Sequence, residues 1–364
     1  MRLRILPRYF LTLYLSNLLL GIGIFTFVLL LDRLFELVDL LINKGAGFYL
    51  TGKLLALLIP TSLSLTLPIS NLLAALLTFG QLSETSEITA TRASGISAVD
   101  FARPPVIAAL LSMIFLIPFN TYWAPHAQTK FRSIYVQLLE RNPLVRIEEK
   151  TFSDVGDYHL FVEKKSFRRP PLHGITIYKT PDQGAPLRIF AERGEAQVDP
   201  LRGMWLILEN GHIQEINPTD SKRWFYTIFS TYKFFIPFES QKQGSTRAIE
   251  EMDNDELKVR AKAMRAKGLP IPLYICEMQL RLALACTPLL FVLLGIPLAL
   301  RVKRGGRSIG FALSLVVVLV YYVLLMGGIG IAQRGNWPVV PLVWFANVIL
   351  AIVAGVLGAN LLKE

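Results

Sequence analysis

The sequence predicts a polytopic α-helical membrane protein with six transmembrane helices and an antiparallel β domain inserted between the third and fourth. Three observations carry that expectation. Of 364 residues, 52% are hydrophobic and only 18% charged, whereas soluble domains carry about a quarter charged residues. Six stretches are apolar and long enough to cross a bilayer, which takes about 20 helical residues. Between the third and fourth of them lies a long segment of different character. It holds the 4 histidines and alternates apolar with polar residues in the period of a strand. This composition excludes disorder, collagen-like repeats and a disulfide scaffold. Cys276 and Cys286 fall in one apolar helical stretch, roughly 15 Å apart along its axis, too far to bridge.

The spans run approximately over residues 9–31, 54–79, 106–123, 271–300, 309–332 and 339–362. The first is too long for a signal-peptide core and lacks a small-residue cleavage pattern, so it reads as a retained anchor. The second contains Pro60 and Pro68, which predict kinks, and the third is short. Residues 1–123, 124–270 and 271–364 thus form the first membrane half, the outer segment and the second membrane half. Arg2, Arg4 and Arg8 precede the first span, and Arg301, Lys303, Arg304 and Arg307 lie between the fourth and fifth. The positive-inside rule puts both clusters, and both termini, in the cytoplasm, leaving 124–270 outside. The net charge of +11 therefore reads as topology plus contact with anionic lipid. No nucleic-acid motif accompanies the scattered basic residues.

Within the outer segment the alternation is carried by Tyr158, Leu160 and Val162, by Ile175 and Ile177, by Leu187 and Ile189, and by Trp224, Tyr226 and Ile228. Pro181-Asp182-Gln183-Gly184 and Glu209-Asn210-Gly211 read as turns between such runs. A connecting helix over about 254–267 opens near Asp253–Asp255 and is stopped by Gly268 and Pro270.

Residues 82–97 predict a short amphipathic helix between the second and third spans. Glu84, Glu87 and Thr91 share one face, and Leu82, Ala93 and Ile96 share the other. Such a helix is either a solvated connector or a docking element for a soluble partner. Glu277 and Arg281, four apart near the start of the fourth span, either neutralise each other or place a cation in a cavity wall. Gly327, Gly328 and Gly330 allow close helix approach in the fifth span. Catalytic constellations do not assemble. Asp253-Asn254-Asp255 fits a helix cap better than a metal motif, and His126, His159, His173 and His212 lack zinc-site spacing. No GxSxG, HExxH or P-loop string occurs; residues 303–308 come nearest to the last and lack its pattern.

The stretch 67–97 resembles the signature of the lipopolysaccharide-export permeases, the LptF/LptG family. There a Pro-containing second span leads into a Glu-Ile/Leu-Thr-x-x-x-Ala-x-Gly helix, and this sequence supplies Pro68, Glu87, Ile88, Thr89, Ala93 and Gly95. Trp123-Ala124-Pro125 and Gly306-Arg307-Ser308 agree, and the resemblance covers essentially the whole chain. Gly306-Arg307-Ser308 and Tyr321-Tyr322 incline it toward LptF. The resemblance implies an inner-membrane ABC-transporter permease whose periplasmic β insert is a jellyroll. It also implies that the helix at 82–97 couples to an ATPase through Glu84, Glu87, Thr91, Arg92 and Gly95. The implied partners are a paralogous permease, a cytoplasmic ABC ATPase dimer and periplasmic lipopolysaccharide-bridge proteins. This chain would bind no cofactor and catalyse nothing itself, with ATP and Mg held by the ATPase.

A lipid bearing acyl chains and phosphates calls for an apolar cavity with cations at the outer leaflet. Arg33, Lys44 and Lys53 flank the first outer loop, and Lys130 and Arg132 follow the third span; ordinary interfacial anchoring is the competing role. The family's lysines near the first span are not reproduced position by position, and Glu36 and Asp39 bring negative charge there. In the family the first and fifth spans form a lateral gate, so Gly327, Gly328 and Gly330 would set its packing and Arg281 with Glu277 would face the cavity. Acyl chains crossing an aqueous compartment need cover, because exposed apolar area costs roughly 25 cal/mol per Å². Candidates for that lining are Phe161, Ile175, Ile177, Ile189, Trp205, Ile207, Trp224 and Tyr226. Two other readings stand beside this one: a mechanotransmitting ABC membrane protein without a lipid path, and a membrane-embedded transferase acting on an envelope lipid.

Overall fold

A computed structural model describes residues 5–42, 48–141, 150–155, 158–165, 172–179, 187–199, 203–216, 224–237, 248–301, 306–335 and 337–363. The chain divides into two compact units. One comprises residues 1–38, 49–131 and 247–364, and the other residues 39–48 and 132–246.

The first unit is helical. Its elements are α1 (Ile5–Ile42), α2 (Phe48–Glu84), α3 (Glu87–Ala93), α4 (Ala98–Pro118), α5 (Ala124–Arg141), α6 (Asn254–Ala266), α7 (Pro272–Arg301), α8 (Gly306–Gln333) and α9 (Val339–Lys363). Six helical stretches among the described residues are long and apolar enough to cross a membrane, in agreement with the sequence. α2 continues as one helix through Pro60 and Pro68, as membrane helices can when neighbours satisfy the freed backbone groups.

The third span departs from expectation. A π-helical turn, Phe119–Trp123, joins α4 to α5 without interruption, so the apolar stretch is the middle of a longer helix. Residues 124–131 therefore belong with the helical unit, and the same helix runs on to Arg141 in the second. Hydropathy falls after Trp123 while the helix continues to Arg141.

α2 and α7 are the hub, with 72% and 67% of their apolar windows buried against 28% or less for the other four. Small residues bring the backbones together. A Cβ on Gly295 would stand 2.9 Å from that of Ala75, and one on Gly21 would stand 3.1 Å from that of Ser70. Polar pairs fix the register. Between α1 and α2, Tyr14 donates to Asn71 Oδ1 at 2.6 Å, Asn17 to Thr78 Oγ1 at 2.9 Å and Thr26 to Thr66 Oγ1 at 3.1 Å. Among α7, α8 and α9, the Tyr321 hydroxyl meets Thr287 Oγ1 at 2.9 Å and donates to Asn347 Oδ1 at 2.8 Å, and Asn347 donates to the Ala283 carbonyl. In an apolar solvent such pairs hold helices that gain little from hydrophobic burial.

The second unit is a six-stranded antiparallel sheet in sequence order: β1 (Phe152–Val155), β2 (Tyr158–Lys165), β3 (Leu172–Lys179), β4 (Leu187–Asp199), β5 (Gly203–Ile216) and β6 (Trp224–Pro237). The predicted alternation gives strands at each of the four runs named above. Glu209-Asn210-Gly211 is not a turn, however: it lies in the middle of β5, where Glu209 pairs with Arg193 and Gly211 with Ala191. The residues of the Pro181–Gly184 turn lie outside the described ones; β3 and β4, which flank them, pair antiparallel.

Asn210 does adopt the left-handed conformation that the Asn-Gly pair favours, with φ 52°, but uses it to crease the strand. The register places Lys164, His173, Arg193, Glu209 and Thr231 in one row across five strands. Along this line two consecutive residues per strand break the in–out alternation, and Gly174 (φ 62°) and Asn210 supply the needed dihedrals. Leu160, Val162, Ile175, Ile177 and Ile189 on one side of the crease share a core with Leu206, Leu208, Phe234 and Ile236 on the other. Tyr158 of β2 meets Phe234 of β6 with ring centroids 5.1 Å apart, although four strands of a flat sheet would separate them by about 19 Å. The sheet therefore folds over on itself. Its opposite face carries a chain of ring contacts from Phe152 through Tyr178, Phe190 and His212 to Tyr226.

Candidate functional site

The loop joining α2 to α4 is the most constructed surface on the helical unit. α2 ends at Glu84, Ser86 turns the chain with φ 60° and ψ 12°, and α3 follows for only 7 residues before Gly95 (φ 81°). The helix expected over 82–97 is thus two pieces with a left-handed residue between them, because Thr85 and Ser86 must swing α3 out of line with α2. Ile88 is the buried residue of α3 and belongs to the same core as Phe10, Phe79, Leu82 and Phe101. Phe101 contacts the rings of both Phe10 and Phe79, at 6.2 and 6.1 Å. Ile88 therefore joins α3 to the large buried core of the helical unit, to which α1, α2 and α4 contribute.

Glu84, Arg92 and Gly95 are exposed, whereas Glu87 and Thr91 are half-buried. Glu87 accepts a hydrogen bond from Thr85 Oγ1 at 2.9 Å, and Thr91 donates to the Glu87 carbonyl at 2.6 Å. The structure brings these five residues to one corner, firmly mounted below and open above. A seat of this kind can transmit force. No group of His, Cys, Asp and Glu that could hold a metal ion exists among the described residues.

A second construction surrounds Arg281, which is only 5% exposed. Its Nε donates to Glu277 Oε1 at 2.9 Å, Nη1 to the Met252 carbonyl at 2.7 Å and to Asn254 Oδ1 at 3.1 Å, and Nη2 to the Glu250 carbonyl at 3.1 Å. The Arg281 carbonyl in turn accepts from Asn120 Nδ2 in the π-turn, and Thr129 Oγ1 of α5 donates to the Glu251 carbonyl at 2.9 Å. Arg281 therefore ties the residues where the chain returns at 249–254 to α7, beside the helix by which it departs. Asp253 caps α6 here, accepting from the Asp255 and Glu256 amides. The fork geometry of the guanidinium suits this task, since one planar group satisfies two carbonyls and a carboxylate together.

The other candidates scatter. Arg33 on α1, Lys53 on α2, and Lys130 and Arg132 on α5 are all exposed; Lys44 lies outside the described residues. Gly328 packs so closely on α9 that a Cβ there would collide with the Leu342 carbonyl, while Gly327 and Gly330 face open space. In the sheet, Ile175, Ile177 and Ile189 are buried in the shared core, and Phe161, Trp205, Ile207 and Tyr226 lie on the opposite face. Trp224 stands in β6 opposite Ile216. The other seven thus divide between two faces. Sequence reasoning missed the polar pairs of Tyr14, Asn71, Thr287, Tyr321 and Asn347. Their signal was an amide or hydroxyl within an apolar run.

Comparison with known proteins adds a family. The family described as lipopolysaccharide export system permease LptF/LptG matches residues 8–360. Two relatives named lipopolysaccharide export system permease protein LptG, from Escherichia coli strains K12 and O6:H1, are each 23% identical over 191 residues, covering 52% of this chain and 52% of theirs. An uncharacterised protein of Rickettsia prowazekii is 25% identical over 160 residues, 43% of this chain and 44% of its own. The chain spans about half the length of the curated relatives it matches, and the named ones are LptG rather than LptF.

Proposed function

The chain belongs to the lipopolysaccharide export system permease LptF/LptG family, and from that membership we propose that it is one permease subunit of an ABC transporter. It extracts lipopolysaccharide from the bacterial inner membrane and passes it through the β domain toward the outer membrane. The observation that carries this reading is a family match over residues 8–360 on a chain that combines six spans with a β insert.

In this reading the corner formed by Glu84, Glu87, Thr91, Arg92 and Gly95 lies in the cytoplasm, with both termini, and receives a separate ATPase dimer. That ATPase binds ATP and Mg; this chain has no P-loop string of its own. Closure of the ATPase presses on α3. Ile88 passes the displacement to Phe10, Phe79 and Phe101, and hence to α1, α2 and α4. α2 is also packed against α7 at Gly295 and Ala75, so the push reaches the hub of the helical unit. A paralogous permease completes the cavity, and periplasmic bridge proteins accept the lipid from the β domain.

Reversing the charges with Glu84→Lys and Glu87→Lys is expected to reduce co-purification of the ATPase by about tenfold, the weight of about 1.4 kcal/mol, and Glu84→Lys alone, at an exposed position, should do so in part without altering thermal unfolding of the permease. Unchanged capture overturns the docking assignment. Photocrosslinking from α1, α8 and the β domain tests the lipid path. Capture of the ATPase without lipopolysaccharide crosslinks favours a mechanotransmitter, and turnover of an envelope lipid by the isolated chain favours a transferase.

A further inference from the structure

The helix α6 belongs to neither the membrane spans nor the sheet, and the fold gives a ruler for its depth. α7 has 30 residues and rises about 45 Å, more than the roughly 30 Å of a hydrocarbon core. The stretch from Arg281 to Arg301 alone rises about 30 Å, so those two arginines bracket the core and the first turns of α7 project beyond it. Aromatic residues suited to an interface stand at the Arg281 level. Trp344 donates to Gln279 at 2.9 Å, and Tyr122 and Trp123, both more than half exposed, belong to the π-turn whose Asn120 reaches the Arg281 carbonyl.

Arg281 also holds Met252 and Asn254, so α6 begins at this level. It ends close to Pro272, about 14 Å farther out along α7. The headgroup layer occupies about 5–7 Å on each side of the core, so the first turn of α6 lies within it and the long cations of the next turn reach back to it. These turns bury Leu257 and Ala261 against the helical unit. They expose Val259 (69%) between cations on two flanks, Lys258 and Lys262 on one and Arg260 on the other. The acidic residues are confined to the cap and the first turn: Asp253 is spent on backbone amides, and Asp255 makes an exposed pair with Lys258 at 3.1 Å. Such a pair is weak in water and leaves the lysine able to exchange partners. An exposed apolar residue between snorkelling cations at headgroup depth is the pattern of a lipid-contacting helix.

We propose that Lys258, Arg260 and Lys262 of α6 bind the phosphates of anionic phospholipids in the leaflet on the β-domain side, anchoring the point where the chain re-enters the membrane. This rests on the membrane reading alone and not on the transported substrate.

The test uses the full chain, with Cys276 and Cys286 replaced by alanine and a spin label on Val259→Cys. It is reconstituted in nanodiscs of phosphatidylcholine alone or with about one third phosphatidylglycerol. Accessibility of the label to a neutral nickel chelate is expected to fall about twofold or more in the anionic discs. Separately, the variant K258E/R260E/K262E is expected to retain about half or less of the phosphatidylglycerol that co-purifies with the unaltered chain. Equal accessibility in both discs overturns the proposal. Protection in both discs alike also overturns it, because the helix then lies in the headgroup layer without drawing on anionic phosphates. Undiminished lipid retention by the triple variant overturns it as well. Should that variant fail to fold, the label, read with all three cations intact, decides alone.

Discussion

Arg281 illustrates how an ion in an apolar setting is made tolerable. Its charge is matched by Glu277, and the remaining donors go to the carbonyls of Glu250 and Met252 and to Asn254. Replacing it with leucine strands the carboxylate and those carbonyls. The expected loss is about 3–5 kcal/mol, seen as a lower unfolding temperature and new protease cleavage near 249–254. Arg281→Lys keeps the charge but not the fork, and should fall between leucine and the parent. The glycines of α8 give a sharper contrast. Gly328→Ala must displace the Leu342 carbonyl and should destabilise the chain by about 1–3 kcal/mol, whereas Gly327→Ala meets nothing within 4 Å and should be neutral or gain up to about 1 kcal/mol. Thermal unfolding in detergent distinguishes the two. The sequence showed Glu277 and Arg281 as an i,i+4 pair; the carbonyls that Arg281 binds arrive from residues that only the tertiary fold brings near. Likewise three glycines at close spacing look alike until a neighbouring backbone singles one out.

Elements were legible where one physical signal dominated. Hydropathy gave the spans, and Asp253 with Gly268 bounded α6. Signals competed elsewhere. α5 was hidden because a helix that leaves the membrane loses its apolar run without losing its hydrogen bonds. Asn210-Gly211 was read as a hairpin because its dihedral preference is local, while the decision to reverse or to crease belongs to the strands paired on both sides. Ser86 is a comparable local break, since nothing in its neighbourhood announces a left-handed residue. Its conformation costs an L-residue about 1–2 kcal/mol, so Ser86→Gly should stabilise the corner by about 1 kcal/mol and Ser86→Val should destabilise it by a similar amount. Unfolding midpoints of the full chain check both. ATPase capture should survive the glycine change, because the seat of Ile88 is untouched.

At the scale of the whole molecule, two units carry different kinds of order. The helical unit is organised about α2 and α7, with polar pairs tying α1 to α2 and joining α7, α8 and α9. The β unit is organised by a line of broken alternation that lets one sheet supply both walls of its own core. The lipid-path candidates read from the sequence fell on both faces for this reason: alternation tells which residues share a side within a run, but a crease exchanges the sides between runs.

The closure at Tyr158 and Phe234 has a mechanical meaning. Both cysteines of the chain lie in α7, so no disulfide fastens the β unit, and its closure rests on packing alone: the shared core and this pair of rings. In the proposed function such a closure yields to a guest that hides more apolar surface than the contacts it breaks. In the proposed function, riveting it shut by Tyr158→Cys and Phe234→Cys joined by a short bis-thiol-reactive crosslinker that contains a disulfide, in a background lacking Cys276 and Cys286, should halt lipopolysaccharide delivery while ATP turnover by the partner continues, and a reducing agent should restore flow. Delivery that proceeds unhindered through the riveted form would mean the cargo travels along the outside of the sheet.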